Sequence, residues 1–275
     1  MAEYEAQLFN LAFFSYFAAS CMYIGYLVML NDKLALLGRI ASIIGVGFNT
    51  LAIIARTMKA GHLPFANMYE FGMVLVWGLV IIHFVIEYQS KRKALGAFVL
   101  PLAFVLAGVF ALFYQEARPL VPALKSNWLL IHVVMAVFAY GALAASCAIA
   151  ATYFLKHRLE KNGDDGPLSA VLPELESLEN MVNQLIALAM PFMTLLILTG
   201  AVWAEYAWGS YWRWDPKETW SLITWLVYAI YLHGRSVLGW RGNRAMTWAI
   251  VGFITVLFTF IGVNVLLPGL HSYAF

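Results

Sequence analysis

Long apolar runs separated by short polar segments divide the chain into about eight parts. The runs lie near residues 8–30, 36–56, 68–88, 94–114, 127–155, 186–207, 219–236 and 245–267. Each run is long enough for an α-helix to cross a hydrocarbon core of about 30 Å. The pattern therefore predicts an all-α fold, a polytopic membrane helical bundle with about eight transmembrane helices.

The composition supports this class and a single membrane domain over residues 1–275. Of the 275 residues, 63% are hydrophobic and 12% are charged, and the mean hydropathy is +0.77. A net charge of +2 does not indicate a nucleic-acid partner. The apolar composition makes the lipid bilayer an expected partner. Cys21 and Cys147 form no CxxC or CxxCH motif, which excludes a thiol shuttle of that kind and covalent haem attachment through that motif. The acidic start, MAEYEAQLFN, differs from a secretory signal, so we expect the first run to be retained.

The loop charges predict the orientation of the bundle. Loops that follow odd-numbered runs hold 11 basic residues: Lys33, Arg39, Lys91, Arg92, Lys93, Lys156, Arg158, Lys161, Arg235, Arg241 and Arg244. Loops that follow even-numbered runs hold six: Arg56, Lys59, Arg118, Lys125, Arg213 and Lys217. Because basic residues concentrate in cytoplasmic loops, the first set is predicted to be cytoplasmic. Both termini then lie on the outer (periplasmic or lumenal) side.

One cytoplasmic connection is long and hydrophilic. Residues 157–185 contain the turn-rich segment KNGDDGP, followed by leucines that recur every three or four residues among glutamates. This pattern predicts an amphipathic connector that lies against the membrane or against other helices.

The segment 203–220 forms a Trp-rich outer loop with a mixture of residues that is unusual between two membrane helices. It contains the string WGSYWRWDPKETW, with Trp208, Trp212, Trp214, Trp220, Arg213, Asp215, Lys217 and Glu218. Indoles alone are typical of an aromatic belt at the membrane interface. Flat apolar faces beside cations also suit a flat apolar ligand with carboxylates at its rim, the shape of haem. Chemistry alone leaves both interpretations open.

Several histidines are candidate ligands. His132 lies near the outer end of the fifth run, four residues after Trp128, and His271 follows the last run on the same predicted side. His233 lies near the inner end of the seventh run. Two outer histidines that flank an aromatic platform suit axial ligation of haem iron. Three further residues are secondary candidates: His62 and Glu70 in GHLPFANMYE, and His83 inside the third run, for which a structural role is the simpler interpretation.

Two motifs resemble those of a known family. The pattern W-G-x-x-W-x-W-D is similar to the WWD signature of haem-handling proteins of cytochrome c maturation, and G-H-x-P-x-x-N-x-Y-E to a segment of CcsA/ResC proteins of the system II cytochrome c synthase. The resemblance implies a protein that exports haem b and presents it for thioether attachment to the CxxCH cysteines of apocytochrome c. It further implies that His132 and His271 ligate an outer haem, and that His233 ligates a transmembrane haem. The indoles of the Trp-rich loop could bind the porphyrin, and Arg213 or Lys217 could pair with its propionates, with Arg118 and Lys125 as reserves. Asp215 and Glu218 could orient these cations or a ligand imidazole.

The resemblance also implies partners and a location. In fused members of the family the second transmembrane haem ligand comes from a CcsB/ResB-type half, so we expect a separate subunit of that type, with His83 as the alternative. The pair would form a membrane holocytochrome c synthase, a haem lyase, for which no catalytic residue is assigned. A bacterial cytoplasmic membrane is the expected location, with the plastid thylakoid as alternative. Other open interpretations are a system I CcmC-like haem delivery protein, a dihaem b-type electron-transfer protein, and a haem-free transporter or scaffold.

Overall fold

The structure, a computed structural model, describes residues 4–267 and 269, and within them the chain is all α-helical. The main helices are α1 (Glu5–Met29), α2 (Asp32–Ala60), α3 (Met68–Ser90), α4 (Gly96–Ala111), α5 (Asn127–Lys161), α6 (Pro167–Val171), α7 (Leu175–Trp208), α8 (Pro216–Ser236), α9 (Gly242–Leu257) and α10 (Val263–Leu266). Short 3₁₀ turns cover Lys93–Leu95 and Pro122–Leu124. A π-helical turn, Phe258–Gly262, joins α9 to α10. The predicted all-α class is confirmed.

In the described part of the chain, seven helical stretches are long and apolar enough to cross a membrane. They are Glu5–Met29, Asp32–Ala60, Met68–Ser90, Lys93–Ala111, Asn127–Lys161, Pro167–Trp208 and Gly242–Leu266. The remaining predicted span, 219–236, falls in α8, whose 21 residues measure about 31 Å. Its sequence is more polar, because it carries Lys217, Glu218, His233 and Arg235. The polytopic helical bundle is confirmed, and the side on which each terminus lies stays a prediction.

Residues 157–185 are organised differently from the predicted separate connector. Helix α5 extends to Lys161, α6 is a short helix, and α7 runs without interruption from Leu175 to Trp208. The leucine spacing that predicted an amphipathic helix continues directly into the next apolar run, and Pro191 is accommodated inside the helix. The second half of the connector and the sixth span are therefore one helix.

Helix α5 packs most extensively against α7, and α1 against α2. Between Gly141 and Ala150, α5 buries mainly small side chains. Small residues let helix backbones approach closely in a membrane bundle, where apolar burial alone gives little driving force between helices. This contact fixes the relative positions of α5 and α7, which carry two walls of the cavity described below.

A buried ion cluster joins α1, α2 and α3 at one end of the bundle. Arg56 is fully buried, with its Nη1 2.9 Å from Glu5 Oε1 and its Nε 2.9 Å from Glu70 Oε1. Arg56 Nη1 also donates to the Gln115 carbonyl. A buried cation requires such pairing, because desolvation of an unpaired charge is costly.

Candidate functional site

A cavity lies at the end of the bundle that holds the Trp-rich loop, and together with the open solvent at its mouth it covers about 1100 Å³. Its walls come from the start of α3, from α5, α7 and α8, and from the π-helical turn. The lining residues include Phe65, His132, Leu196, Gly200, Trp203, Trp212, Lys217, Glu218, Phe260 and Asn264.

His132 lies in this cavity, near the start of α5. Its Nδ1 lies 2.8 Å from the Leu196 carbonyl oxygen of α7. Because a carbonyl oxygen only accepts, Nδ1 carries the hydrogen, and the lone pair of the neutral ring is on Nε2. The imidazole lies nearly parallel to the Trp203 indole, with ring centroids 6.2 Å apart. The ring is thus oriented by α7, in the tautomer that binds a metal through Nε2.

Indoles form one wall of the cavity. Trp203 is buried, and its Nε1 donates to the Ala123 carbonyl at 2.9 Å. Trp208 meets Trp203 edge-on, with centroids 4.8 Å apart. Trp212 lines the cavity and meets Trp214 at a right angle, with centroids 5.6 Å apart. Trp208 and Trp214 contact the two lining indoles but do not line the cavity themselves.

The Trp-rich loop is held by the cap of α8. Helix α7 ends at Trp208, and the following C-cap residue, Gly209, adopts a left-handed conformation with φ +70°. Asp215 is the N-cap of α8 and forms a capping box with Glu218. Glu218 Oε2 accepts from the backbone N–H groups of Arg213 and Asp215, at 2.8 and 3.2 Å. Asp215 and Glu218, predicted to orient other groups, therefore fix the loop backbone.

Lys217 is the cation that lines the cavity. Its Nζ donates to Asn264 Oδ1 at 3.2 Å and lies 5.4 Å from the centre of the Phe260 ring. Burial lowers the pKa of the Lys217 ammonium to about 8, and the Asp215 carboxylate opposes part of this shift. An ammonium in these surroundings is expected to attract an anionic group of a ligand.

Four other predicted residues of this region lie outside the cavity wall. Arg213 is exposed and donates to the Trp208 carbonyl, and Trp214 is 66% exposed with φ +58°. Trp220 packs on Phe258, with centroids 4.3 Å apart, and Trp128 is half-exposed at the start of α5. These side chains border the loop or support it from behind.

The GHLPFANMYE segment connects structural elements at the cavity rim. Glu70 accepts from Arg56 through one oxygen and from the Ala66 N–H, at 2.7 Å, through the other. The ring nitrogens of His62 lie 2.8 and 3.0 Å from the carbonyl oxygens of Leu63 and Arg118. The geometry gives both secondary candidates structural contacts, and the segment places Phe65 in the cavity wall.

Two of the predicted histidines lie away from the cavity. His83 is fully buried on α3, and its Nε2 lies 3.1 Å from Glu87 Oε2. Glu87 also accepts from Tyr23 at 2.8 Å and from Arg39. His233 is exposed near the end of α8. The structure therefore does not bring His83 or His233 together with His132.

His271 lies outside the described residues. Gly269, which is described, lies against the cap of α8: a Cβ added to it would be 2.6 Å from Asp215 Oδ2. The chain beyond α10 thus returns to the Trp-rich loop at Gly269.

Sequence reasoning missed several lining residues. Gly200 and Leu196 lie on one face of α7 together with Trp203, which was predicted in the outer loop 203–220 but lies in this helix. Phe260 comes from the π-helical turn and Asn264 from α10. The spacing of Leu196, Gly200 and Trp203, at i, i+4 and i+7, was an available signal for one helix face. Nothing in the sequence alone says that this face meets His132.

Known proteins resemble the chain over most of its length. A family model described as cytochrome c assembly protein matches residues 65–271. The chain belongs to this family. Relatives named cytochrome c biogenesis protein CcsA include one from Marchantia polymorpha, 36% identical over 98% of this chain and 97% of the relative. Another, from Gloeobacter violaceus, is 34% identical over 98% of this chain and 96% of the relative. The predicted CcsA-type identity and the role in cytochrome c biogenesis are confirmed.

The fold is also similar to a solved structure described as cytochrome c haem lyase CcmF. The TM-score is 0.70 at 16% identity, and the match covers 94% of this chain. The match covers 46% of that structure, so this chain spans about half its length. At this identity the likeness concerns the fold alone.

Proposed function

We propose that this chain exports haem b and presents it on the outer side of the membrane for thioether attachment to the CxxCH cysteines of apocytochrome c. The cavity carries the proposal, because it combines an oriented imidazole, an indole wall and a partly buried ammonium. An imidazole can ligate the iron, indoles can pack on the porphyrin, and an ammonium can pair with a propionate.

The residues of the cavity fit haem in chemical terms. His132 would bind the iron through Nε2, since its Nδ1 hydrogen is donated to Leu196. The indoles of Trp203 and Trp212 would pack on the porphyrin. Lys217 would pair with a propionate, and Arg213 at the rim would serve the other. Trp212 Nε1 and Glu218 Oε1 are buried without a hydrogen-bond partner among the described residues, which suits a site that receives a polar ligand.

His271 is proposed as the second outer ligand. It follows Gly269 by two residues, and Gly269 lies against Asp215 at the edge of the Trp-rich loop. Two residues of chain reach at most about 7 Å, so His271 is close enough in sequence to serve this site. Ligation from both faces would hold the haem while its vinyl edge meets the cytochrome.

In the attachment step, the protein would act by positioning. Each cysteine S–H adds across a haem vinyl group: sulfur bonds to the inner vinyl carbon and hydrogen to the terminal carbon, without net oxidation. The chain would hold the porphyrin through His132, the indoles and Lys217, so that the cysteines meet the vinyl groups in a fixed orientation. No proton-transfer residue is assigned here.

His233 is proposed to ligate a transmembrane haem together with a partner. It shares an exposed face of α8 with Leu226, Ile230 and Val237, spaced at i, i+4, i+7 and i+11. A ligand on an outward face needs its counterpart from another chain, and a CcsB/ResB-type subunit is the proposed source. The two chains would form a holocytochrome c synthase, a haem lyase, in a bacterial cytoplasmic membrane or a thylakoid.

The test is haem binding by the full chain, purified in mild detergent with and without a co-expressed CcsB/ResB-type subunit. Pyridine-haemochrome spectra should show b-type haem in the wild type. We expect His132→Gly and His271→Gly to lose or alter the outer haem, and His233→Gly the transmembrane haem. His157→Gly is the matched control, because His157 stacks on Tyr153 outside the cavity.

A haem content that none of the three substitutions changes would contradict the assigned ligands. Absence of haem from every preparation, including the complex, would contradict haem handling and favour a scaffold.

A further inference from the structure

Gly200 occupies a position in α7 where a side chain would collide with His132. A Cβ built at Gly200 would lie 2.7 Å from His132 Nδ1 and 2.8 Å from Cε1. Real Cβ atoms almost never approach other heavy atoms so closely. The imidazole therefore uses the space that the glycine leaves open.

The same space gives the imidazole access to a main-chain acceptor. Leu196 lies four residues before Gly200, so its carbonyl points along α7 toward Gly200. With any larger residue at position 200, the side chain would cover that carbonyl on the face of His132. Glycine otherwise destabilises the interior of a helix, because it loses more conformational entropy on folding than other residues and has no side chain that could pack.

We propose that Gly200 is a positioning residue for the iron ligand His132: its missing side chain lets the ring donate Nδ1–H to the Leu196 carbonyl. This inference rests on the proposed function, in which His132 Nε2 binds haem iron. The hydrogen bond fixes the ring orientation and tautomer, and it makes Nε2 a stronger electron donor. Stronger donation favours the ferric state and lowers the midpoint potential of the bound haem.

Gly200→Ala separates this role from a packing role. Alanine is the better helix former, so α7 itself should not be weakened. The atoms that the methyl group meets belong to the end of the His132 side chain, which can rotate, so the ring should move while the fold persists. Loss of such a hydrogen bond at a metal ligand typically weakens metal binding about 10- to 100-fold.

The variant and the wild type are prepared from membranes in the same way, and each is measured by a haem titration and by a redox titration of the bound haem. We expect Gly200→Ala to bind haem at the outer site about 10-fold more weakly or worse, with a higher midpoint potential. A tenfold change in the relative affinity for the two oxidation states corresponds to about 59 mV. Gly47→Ala is the matched control, because a Cβ at Gly47 meets nothing within 4 Å.

A second experiment isolates the hydrogen bond. In His132→Gly, added imidazole can carry an N–H to the Leu196 carbonyl, whereas 1-methylimidazole cannot while it binds iron. Imidazole should therefore restore the haem spectrum at a lower concentration than 1-methylimidazole. In His132→Gly/Gly200→Ala, where the methyl group covers the carbonyl, this preference should disappear.

The outcomes distinguish the two proposals. If His132→Gly leaves the haem spectrum unchanged, the ligand assignment under the proposed function fails. If His132→Gly alters the spectrum but Gly200→Ala matches Gly47→Ala in affinity and potential, the role of Gly200 alone is overturned. Equal rescue by the two imidazoles in His132→Gly would also overturn it.

Discussion

Arg56 and Lys217 are both held in the bundle near the cavity end, but their surroundings differ in the charge that they supply. Arg56 is fully buried and meets two carboxylates, Glu5 and Glu70, each at 2.9 Å. Lys217 donates to the neutral oxygen of Asn264 at 3.2 Å and lies over the Phe260 ring. One cation is neutralised by the fold, and the other lines a cavity beside a neutral oxygen.

The difference indicates two uses of a charge that is withdrawn from solvent, completely at Arg56 and partly at Lys217. Its ion pairs with Glu5 and Glu70 make Arg56 a connector of three helices, and removal of Arg56 leaves two buried carboxylates without their cation. Lys217 lacks such close neutralisation, and its desolvation is offset fully only when an anion enters the cavity. We infer that the first arrangement serves stability and the second serves binding.

The largest expected effect comes from Arg56→Leu. This change leaves the Glu5 and Glu70 carboxylates buried without their cation, which typically costs about 3–5 kcal/mol. We expect a marked loss of thermal stability in detergent and of protein in the membrane, measured by a thermal unfolding assay and by immunoblotting. Lys93→Leu is the control, because Lys93 forms an exposed ion pair with Asp32 that contributes about 0–1 kcal/mol. Equal stability of the two variants would contradict a structural role for Arg56.

The second effect, from Lys217→Met, should fall on binding. Methionine fills similar space without a charge to desolvate, so stability should be unchanged or higher. Loss of a charge-assisted bond to a propionate should weaken haem binding by about 1.5–3 kcal/mol, roughly 10- to 100-fold. A haem titration measures this loss, with Lys59→Met as control, because Lys59 is exposed at the end of α2 and is not among the residues that line the cavity. If Lys217→Met destabilises the chain while its haem affinity stays normal, Lys217 serves stability as Arg56 does, and the inferred role in binding is wrong.

Much of this picture followed from the sequence. The apolar runs predicted the helical bundle, and the Trp-rich string marked Trp212, Lys217 and Glu218, which line the cavity with His132. These residues could be identified together because the Trp-rich loop and the first turn of α8 are adjacent in sequence. His132, more than 70 residues earlier, was found through its depth along a helix and a family resemblance.

The rest depends on lateral packing, which sequence patterns do not specify. The phase of α7 puts Gly200 and Trp203 on one face, but only the contact between α5 and α7 shows that this face meets His132. Likewise, Glu70 looked like a site residue because of its motif, whereas its partner Arg56 lies on a different helix. Pairings between helices therefore appeared only in the structure.

The smallest expected effect is a pH dependence of haem binding through Lys217. In the free site its pKa is about 8, so the ammonium loses its proton as the pH rises above 8. A bound propionate stabilises the charged form, so binding above pH 8 requires proton uptake, and affinity should fall about tenfold per pH unit at most. The unliganded chain should become more stable over the same range, because the neutral amine is easier to bury. Haem titrations and unfolding assays between about pH 7 and 9.5 measure both trends.

Two variants sharpen this prediction. Lys217→Arg carries a charge that persists throughout this pH range, so affinity should no longer depend on pH in this way. Asn264→Asp supplies a carboxylate to Lys217, as Glu5 and Glu70 do for Arg56, and should raise the pKa of the ammonium. The decline in affinity should then begin at higher pH, and haem should bind more weakly at neutral pH, because the introduced carboxylate competes for the cation. An unchanged pH profile in both variants would show that another group controls binding, and Lys217 would lose its assigned role as the cation of the site.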